Sequence, residues 1–213
     1  MNSYLDHVIW ACADLERGAR QFEALTGIQP RFGGVHASGL THNALVGVGP
    51  RCYLEILAPV GPAGPGDDHW CRLARAAHEP QVLTYCLRSA RPLSELASTF
   101  EALGWQNAVV ASNGRTTPEG VRLRWQWLAP AVERFGLAIP FFIDWLDSPH
   151  PADSLRTVQP DSGIVLQRFA VGHPDAAELR RTLADVGSTV ETYAADDVQF
   201  RLQLATPLGT VSL

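Results

Sequence analysis

A chain of 213 residues, 46% of them hydrophobic, is long enough to bury a substantial core, as one compact body or as two closely joined halves. A net charge of −5 and a pI near 5.8 argue against a nucleic-acid partner, which needs clustered cationic side chains. All 17 basic residues are arginine, so lysine Schiff-base chemistry, a lysine general base and the Gly-Lys-Ser/Thr phosphate loop are excluded.

Residues Met1 to His7 contain no cationic segment followed by an apolar stretch, and no run approaches transmembrane length, so a cytoplasmic location without a membrane partner is expected. Leu5 to Cys12 is β-branched and aromatic enough for a buried strand, and Asp14 is placed to cap a helix running to about Leu25, closed by Gly27. Phe32 to Gly39 is glycine-rich and reads as an irregular loop. Asn43 to Val48 and Arg51 to Leu57 read as short strands about the turn Gly49-Pro50. In the second of these, alternation puts the Glu55 carboxylate on one face with Tyr53 and Leu57. Such a carboxylate needs a cation, either a metal ion or an arginine such as Arg51 or Arg124.

Pro59 to Asp68, rich in proline and glycine, reads as a linker. Beyond it the order repeats. Val82 to Leu87 is a second apolar strand, a helix spans about Pro92 to Leu103, and Phe22-Glu23-Ala24-Leu25 returns as Phe100-Glu101-Ala102-Leu103. Strands follow at Asn107 to Ala111, Val121 to Leu128 and Ala138 to Trp145, with Asn113-Gly114-Arg115 as a hairpin turn signal. Asp144 in the last strand aligns with Glu55 in the first unit. A fainter copy follows: a strand over Ile164 to Val171, a helix over Asp175 to Val186 and a final strand over Leu208 to Leu213. This third copy covers an exposed sheet edge or pairs with a second chain as a homodimer. The divisions are therefore 1–60, a linker over 61–80, 81–150 and 151–213, packed as one unit.

Cys12, Cys52, Cys71 and Cys86 lack paired metal spacing and read as reduced core residues. Trp125 and Trp127 share a strand face and, with Trp145, either wall an apolar pocket or pack a core. His36 and Asn43 border the glycine-rich loop, where contact with a ligand competes with plain solvation. His69, His78, His150 and His173 carry no signal beyond composition.

Taken in order, Leu5-Asp6-His7-Val8, Ala13-Asp14-Leu15-Glu16, Gly33-Gly34-Val35-His36, Thr41-His42-Asn43-Ala44-Leu45, Tyr53-Leu54-Glu55-Ile56 and Pro140 to Trp145 with Pro149-His150-Pro151 resemble the glyoxalase-like branch of the vicinal oxygen chelate superfamily. The resemblance implies an α+β fold. Tandem βαβββ modules, of the glyoxalase, bleomycin-resistance and dihydroxybiphenyl-dioxygenase type, curl into an open cup, with a third partial copy at the C-terminus. It further implies a divalent metal ion (zinc, manganese or magnesium) held by His7, Glu55 and Asp144, with Glu55 also catalytic. The second unit's first strand has no histidine. Its register places either Tyr85 or Thr84 opposite His7, and the Thr84 register, which turns Arg88 into the cup, avoids pressing a guanidinium against the helix.

One imidazole with two carboxylates suits those hard ions better than the iron of dioxygenases. Arg88 would clamp a substrate carboxylate, while His36, Asn43, Trp125, Trp127 and Trp145 would contact the rest of the molecule. Two functions follow: a metal-dependent lyase or isomerase acting on a small, oxygen-rich substrate, or a metal-free protein that sequesters a drug or metabolite on the same scaffold.

Overall fold

The computed structural model describes residues 2–105, 108–130, 134–158 and 163–213. The strand expected from Asn107 therefore begins outside the described residues. Two sheets organise the chain: an eight-stranded sheet curled into a cup, and a four-stranded sheet packed on its convex side. No helix among the described residues is long and apolar enough to cross a membrane.

The first unit comprises β1 (Ser3–Ala11), α1 (Leu15–Thr26), β2 (Arg31–Val35), β3 (Thr41–Gly49) and β4 (Cys52–Pro59). Helix α1 starts where Asp14 accepts a hydrogen bond from the Arg17 N–H at 2.7 Å and stops at Gly27, whose φ of 74° suits glycine. After α2 (His69–Ala76) the second unit repeats the pattern as β5 (Gln81–Ser89), α3 (Leu93–Ala102), β6 (Val109–Thr116), β7 (Arg122–Ala129) and β8 (Phe141–Asp144). The strand order β2-β3-β4-β1-β5-β8-β7-β6 is a near mirror about the β1–β5 pair, with β1 parallel to β4 and β5 parallel to β8.

Period-two alternation sorts the side chains. Val8, Trp10, Leu54 and Ile56 face the convex side, where Phe22 of α1 and Phe100 of α3 join one buried cluster. His7, Ile9, Tyr53, Glu55 and Leu57 face the hollow. On Gln81–Ser89 neither Tyr85 nor Thr84 stands opposite His7, but the strand turns its faces as the Thr84 alternative has it. Cys86 is paired with His7, which puts Thr84 and Arg88 on the His7 side, while Tyr85 packs outward against Phe169 at 5.0 Å.

After α4 (Pro151–Val158), the C-terminal segment runs β9 (Val165–His173), α5 (Ala176–Asp185), β10 (Glu191–Ala194), β11 (Gln199–Thr206) and β12 (Gly209–Ser212). The succession of elements is that of the first two units, but the wiring differs. The order is β10-β9-β11-β12, with the first strand inside the sheet. Phe169 and Phe200 of this sheet cover Tyr85, so the third copy shields the convex face of the large sheet rather than an edge.

Three local expectations change. The linker contains α2, capped by Asp68, whose carboxylate accepts from the Cys71 N–H at 2.8 Å. The glycine-rich loop is partly strand β2. Asn113, Gly114 and Arg115 lie inside β6, and the turn falls instead at Thr117, whose N–H and carbonyl bond Val121 and Gly120. The β2 and β6 ends of the large sheet then meet, with the Ala37 N–H donating to the Gly114 carbonyl at 2.9 Å and His36 bridged to Arg115.

Gly34 sits at this seam with φ +125°, and a Cβ there would lie 2.5 Å from the Thr116 carbonyl oxygen. Backbone strain and overpacking combine at that position. Gly34→Ala is expected to lower stability by about 2 to 4 kcal/mol in urea unfolding. Gly64→Ala, where a new methyl would meet nothing within 4 Å, should stay within about 0.5 kcal/mol of the parent.

Candidate active site

The hollow of the large sheet encloses a cavity of about 150 Å³. Its polar floor comes from the first unit. Glu55 on β4 is only 6% exposed, and its Oε1 accepts one hydrogen bond, from Asn43 Nδ2 at 2.8 Å. Its other oxygen, Oε2, faces His7 Nε2 at 3.5 Å, and the His36 Nε2 stands 3.7 Å from Oε1. Neither Arg51 nor Arg124 neutralises it; Arg124 bonds Asp147 at the surface.

His7 is oriented from below. The β1–β5 register slips between Leu5 and His7, leaving Asp6 without a strand partner, and this bulge turns the Asp6 side chain away from the helices. Asp6 is fully buried. It accepts from His7 Nδ1 at 2.8 Å, His150 Nε2 at 3.0 Å, Trp145 Nε1 at 3.3 Å and Arg88 Nη1 at 3.4 Å. Burial raises its carboxyl, but the hydrogen bonds and charges of His150 and His7 outweigh that and hold it well below the usual carboxylate range. His150 Nδ1 accepts from the Ala152 N–H at 3.2 Å, which leaves Nε2 to carry the hydrogen given to Asp6.

Because a carboxylate only accepts, His7 Nδ1 carries the hydrogen in its bond to Asp6, which leaves Nε2 as the ring atom turned to Glu55. His36 is similar. Its Nδ1 lies 2.7 Å from Thr41 Oγ1, its Nε2 is within 3.4 Å of the Asn43 amide nitrogen, and burial pushes the imidazole pKa down. Two imidazole nitrogens and the Asn43 amide thus converge on one carboxylate. The buried Asn43 Oδ1 has no partner among the described residues. That donor set fits a divalent cation between His7 Nε2 and Glu55.

Asp144 does not join it. The side chain is exposed, and its Oδ1 accepts from the Leu146 N–H at 2.9 Å, holding a turn. Strand β8 turns Phe141 and Ile143 inward instead. Arg88 likewise is spent on Asp6 and the Arg51 carbonyl rather than lining the cavity. Asp6, His7 and Cys86 also lie close together, but the Asp6 oxygens are fully engaged and burial pushes the Cys86 thiol far up, away from the thiolate a metal would need.

The second unit contributes mostly aromatic wall. Trp125, Trp127 and Trp145 all line the cavity, and α2 adds Trp70, which packs on Phe141 at 5.5 Å. One cation stands among them. Arg115 on β6 is 6% exposed and gives Nη1 to the Gly33 carbonyl. Among the described residues no carboxylate lies in ion-pair contact with it. His7, Glu55, His36, Asn43 and the three tryptophans are therefore brought together, Asp144 and Arg88 are not, and Asp6, His150 and Arg115 enter unannounced.

Residues 5–187 match the model of the glyoxalase-like domain family. A hypothetical protein from Staphylococcus aureus superposes with a TM-score of 0.67 at 15% identity, covering 92% of this chain and 88% of its own. At that identity the likeness is one of fold. A methylmalonyl-CoA epimerase variant from Streptomyces coelicolor, in complex with 2-nitronate-propionyl-CoA, gives a TM-score of 0.48 at 18% identity over 70% of this chain and all of that one. The epimerase from Mycobacterium tuberculosis gives 0.44 at 15% identity over 70% and 91%. No curated protein matches the sequence.

The Asp6 hub makes a pH-dependent prediction. A carboxyl held below its ordinary value contributes stability that is fully present above about pH 4, its unfolded value, and is lost as pH falls toward the folded one. Asp6→Asn should cost about 3 kcal/mol at pH 7. In urea unfolding followed from pH 7 to pH 3, the gap between variant and parent should shrink below about pH 4.

Proposed function

We propose that this chain, which belongs to the glyoxalase-like domain family of the vicinal oxygen chelate superfamily, is a lyase or isomerase that moves a proton at a carbon next to an oxygen-bearing centre of a small substrate. The observation that carries this reading is the Glu55 carboxylate, buried at the cup floor and facing the cavity with one hydrogen-bond donor on it. That carboxylate sits within the space a substrate would fill, within reach of a proton on the molecule bound there.

Asn43 fixes one carboxylate oxygen and leaves the other free to take a proton. The Asp6–His7 bond sets the ring plane of His7 beside it. Tryptophan walls keep water from competing for the proton and strengthen the electrostatics inside. His7 and Glu55 would hold a divalent ion, with His36 rather than Asp144 the nearest further donor; bound there, it would act as a Lewis acid toward the substrate oxygen. A second reading, a metal-free binding protein, draws support from the second unit. Its β8 turns Phe141 and Ile143 inward where β4 of the first unit carries Glu55, and its β5 offers Thr84 and Cys86 where β1 carries His7.

Elemental analysis should find a divalent metal in the parent and in Asp144→Ala, and its loss in His7→Ala and Glu55→Ala. A panel of short 2-oxo acids in deuterated water, followed by NMR, should show hydrogen exchange at the carbon beside the carbonyl. Glu55→Gln should slow that exchange about 10²- to 10⁴-fold. Unchanged exchange in Glu55→Gln would remove the carboxylate from the chemistry, and saturable binding without exchange by the parent would select the sequestering protein.

A further inference from the structure

We infer that Arg115 is an anion anchor, and that the cup takes a small, flat or compact carboxylic acid whose carboxylate sits on that guanidinium. This deepens the reading of the cup as an active site and rests on it for the position of Glu55, though the binding claim can be tested alone.

Three observations converge. The guanidinium is buried to 6% exposure, yet its one hydrogen bond among the described residues goes to the Gly33 carbonyl, and no carboxylate lies within ion-pair range. Glu55 and Glu119 act on this cation only from beyond contact distance, and burial outweighs them; a buried cation without a contacting carboxylate is expensive, so the fork is matched to an anion that arrives from outside. Its planar fork suits a carboxylate held by two parallel N–H groups.

The position is also built rather than incidental. Arg115 reaches the cavity because β6 meets the end of β2, with His36 bridged to Arg115 across the seam. Gly33 leaves the space: a Cβ there would lie 2.3 Å from Asn43 Oδ1 and 2.8 Å from Arg115 Nη1. Asn43 and Arg115 therefore crowd over one glycine. Asn43 gives its amide hydrogen to Glu55 on one side, and its unpartnered Oδ1 points toward the guanidinium side.

The remaining lining sets the rest of the ligand. Trp125, Trp127, Trp145, Tyr53 and Phe141 offer apolar and π surface, and the enclosed volume of about 150 Å³ is that of a cavity able to accept benzene. A carboxylate on Arg115 thus leaves an apolar body of about one ring, or an equivalent branched chain, against the tryptophans. Larger groups would have to leave through the mouth.

Tryptophan fluorescence reads this directly, since the walls carry the fluorophores. Benzoate is the probe and benzamide, of the same shape without the charge, its comparison. Benzoate should quench the parent saturably and bind at least about tenfold more tightly than benzamide. Arg115→Gln should erase that preference, and Arg115→Lys, which keeps the charge but not the fork, should restore part of it. Glu55→Gln should still bind benzoate, so failure of the proton-transfer reading leaves this result standing. Equal binding of the two probes by the parent, absence of saturable benzoate binding, or an undiminished preference in a folded Arg115→Gln would overturn the assignment.

Discussion

One buried negative charge organises this molecule. Asp6 takes hydrogen from His7 beside it, from Arg88 on β5, and from Trp145 and His150 in the stretch after β8. A carboxylate removed from water is tolerable only when its lone pairs are satisfied, and here the satisfaction comes from segments far apart in sequence. The hub therefore ties the two halves of the cup beneath its floor. It also sets which ring nitrogen of His7 carries hydrogen, and so what His7 shows to Glu55.

Duplication supplied the shape and substitution divided the labour. The pairings of β1 with β4 and of β5 with β8 are equivalent, and each half is backed by a helix carrying the same Phe-Glu-Ala-Leu tetrapeptide. The inward positions nevertheless differ: His7 and Glu55 on one side, Phe141, Ile143 and the tryptophans on the other. A site of this kind has a polar pole, where charge is generated or held, and an apolar pole, which excludes water and selects by size. Two halves of equal polarity would give either a hydrated hollow or a plain core.

Much of this was legible in the residues. Alternation alone put Glu55 with Tyr53 and Leu57 on one face, the Asp14 cap and Gly27 stop bounded α1, the repeat gave the two units, and the family resemblance gave the cup they form. What escaped depended on pairing between distant segments. Strict alternation from His7 sends Asp6 toward the helices, and only a bulge created by β5 reverses it. Aligned by sequence, Asp144 mirrors Glu55. Placed at the last residue of a four-residue strand, it serves the next turn instead. Asn113-Gly114 reads locally as a turn, yet Gly114 lies in mid-strand because a Cβ there would come 2.7 Å from the Leu123 carbonyl oxygen. That misreading hid Arg115, the next residue. His150 belonged to the Pro149-His150-Pro151 stretch of the family resemblance but carried no role there; its significance lies in reaching a carboxylate 144 positions away.

The polar groups of this protein fall into two energetic kinds, and the contrast locates function better than burial does. Asp6 is buried and saturated with donors, as a structural charge should be. Glu55, Asn43 and Arg115 are also buried and, among the described residues, remain short of partners: one donor on the carboxylate, an orphan amide oxygen, a guanidinium with a single carbonyl. Folding alone would favour letting Arg115 neutralise Glu55. Asn43 intervenes instead, with its amide N–H on Glu55 and its other end crowding the Gly33 position together with Arg115, so the carboxylate and the guanidinium stay out of direct contact and both line the cavity. That arrangement converts a cost in stability into selective binding. The seam of β2 and β6 holds Arg115 there, so the geometry that closes the cup is also the geometry that keeps its charges from pairing directly.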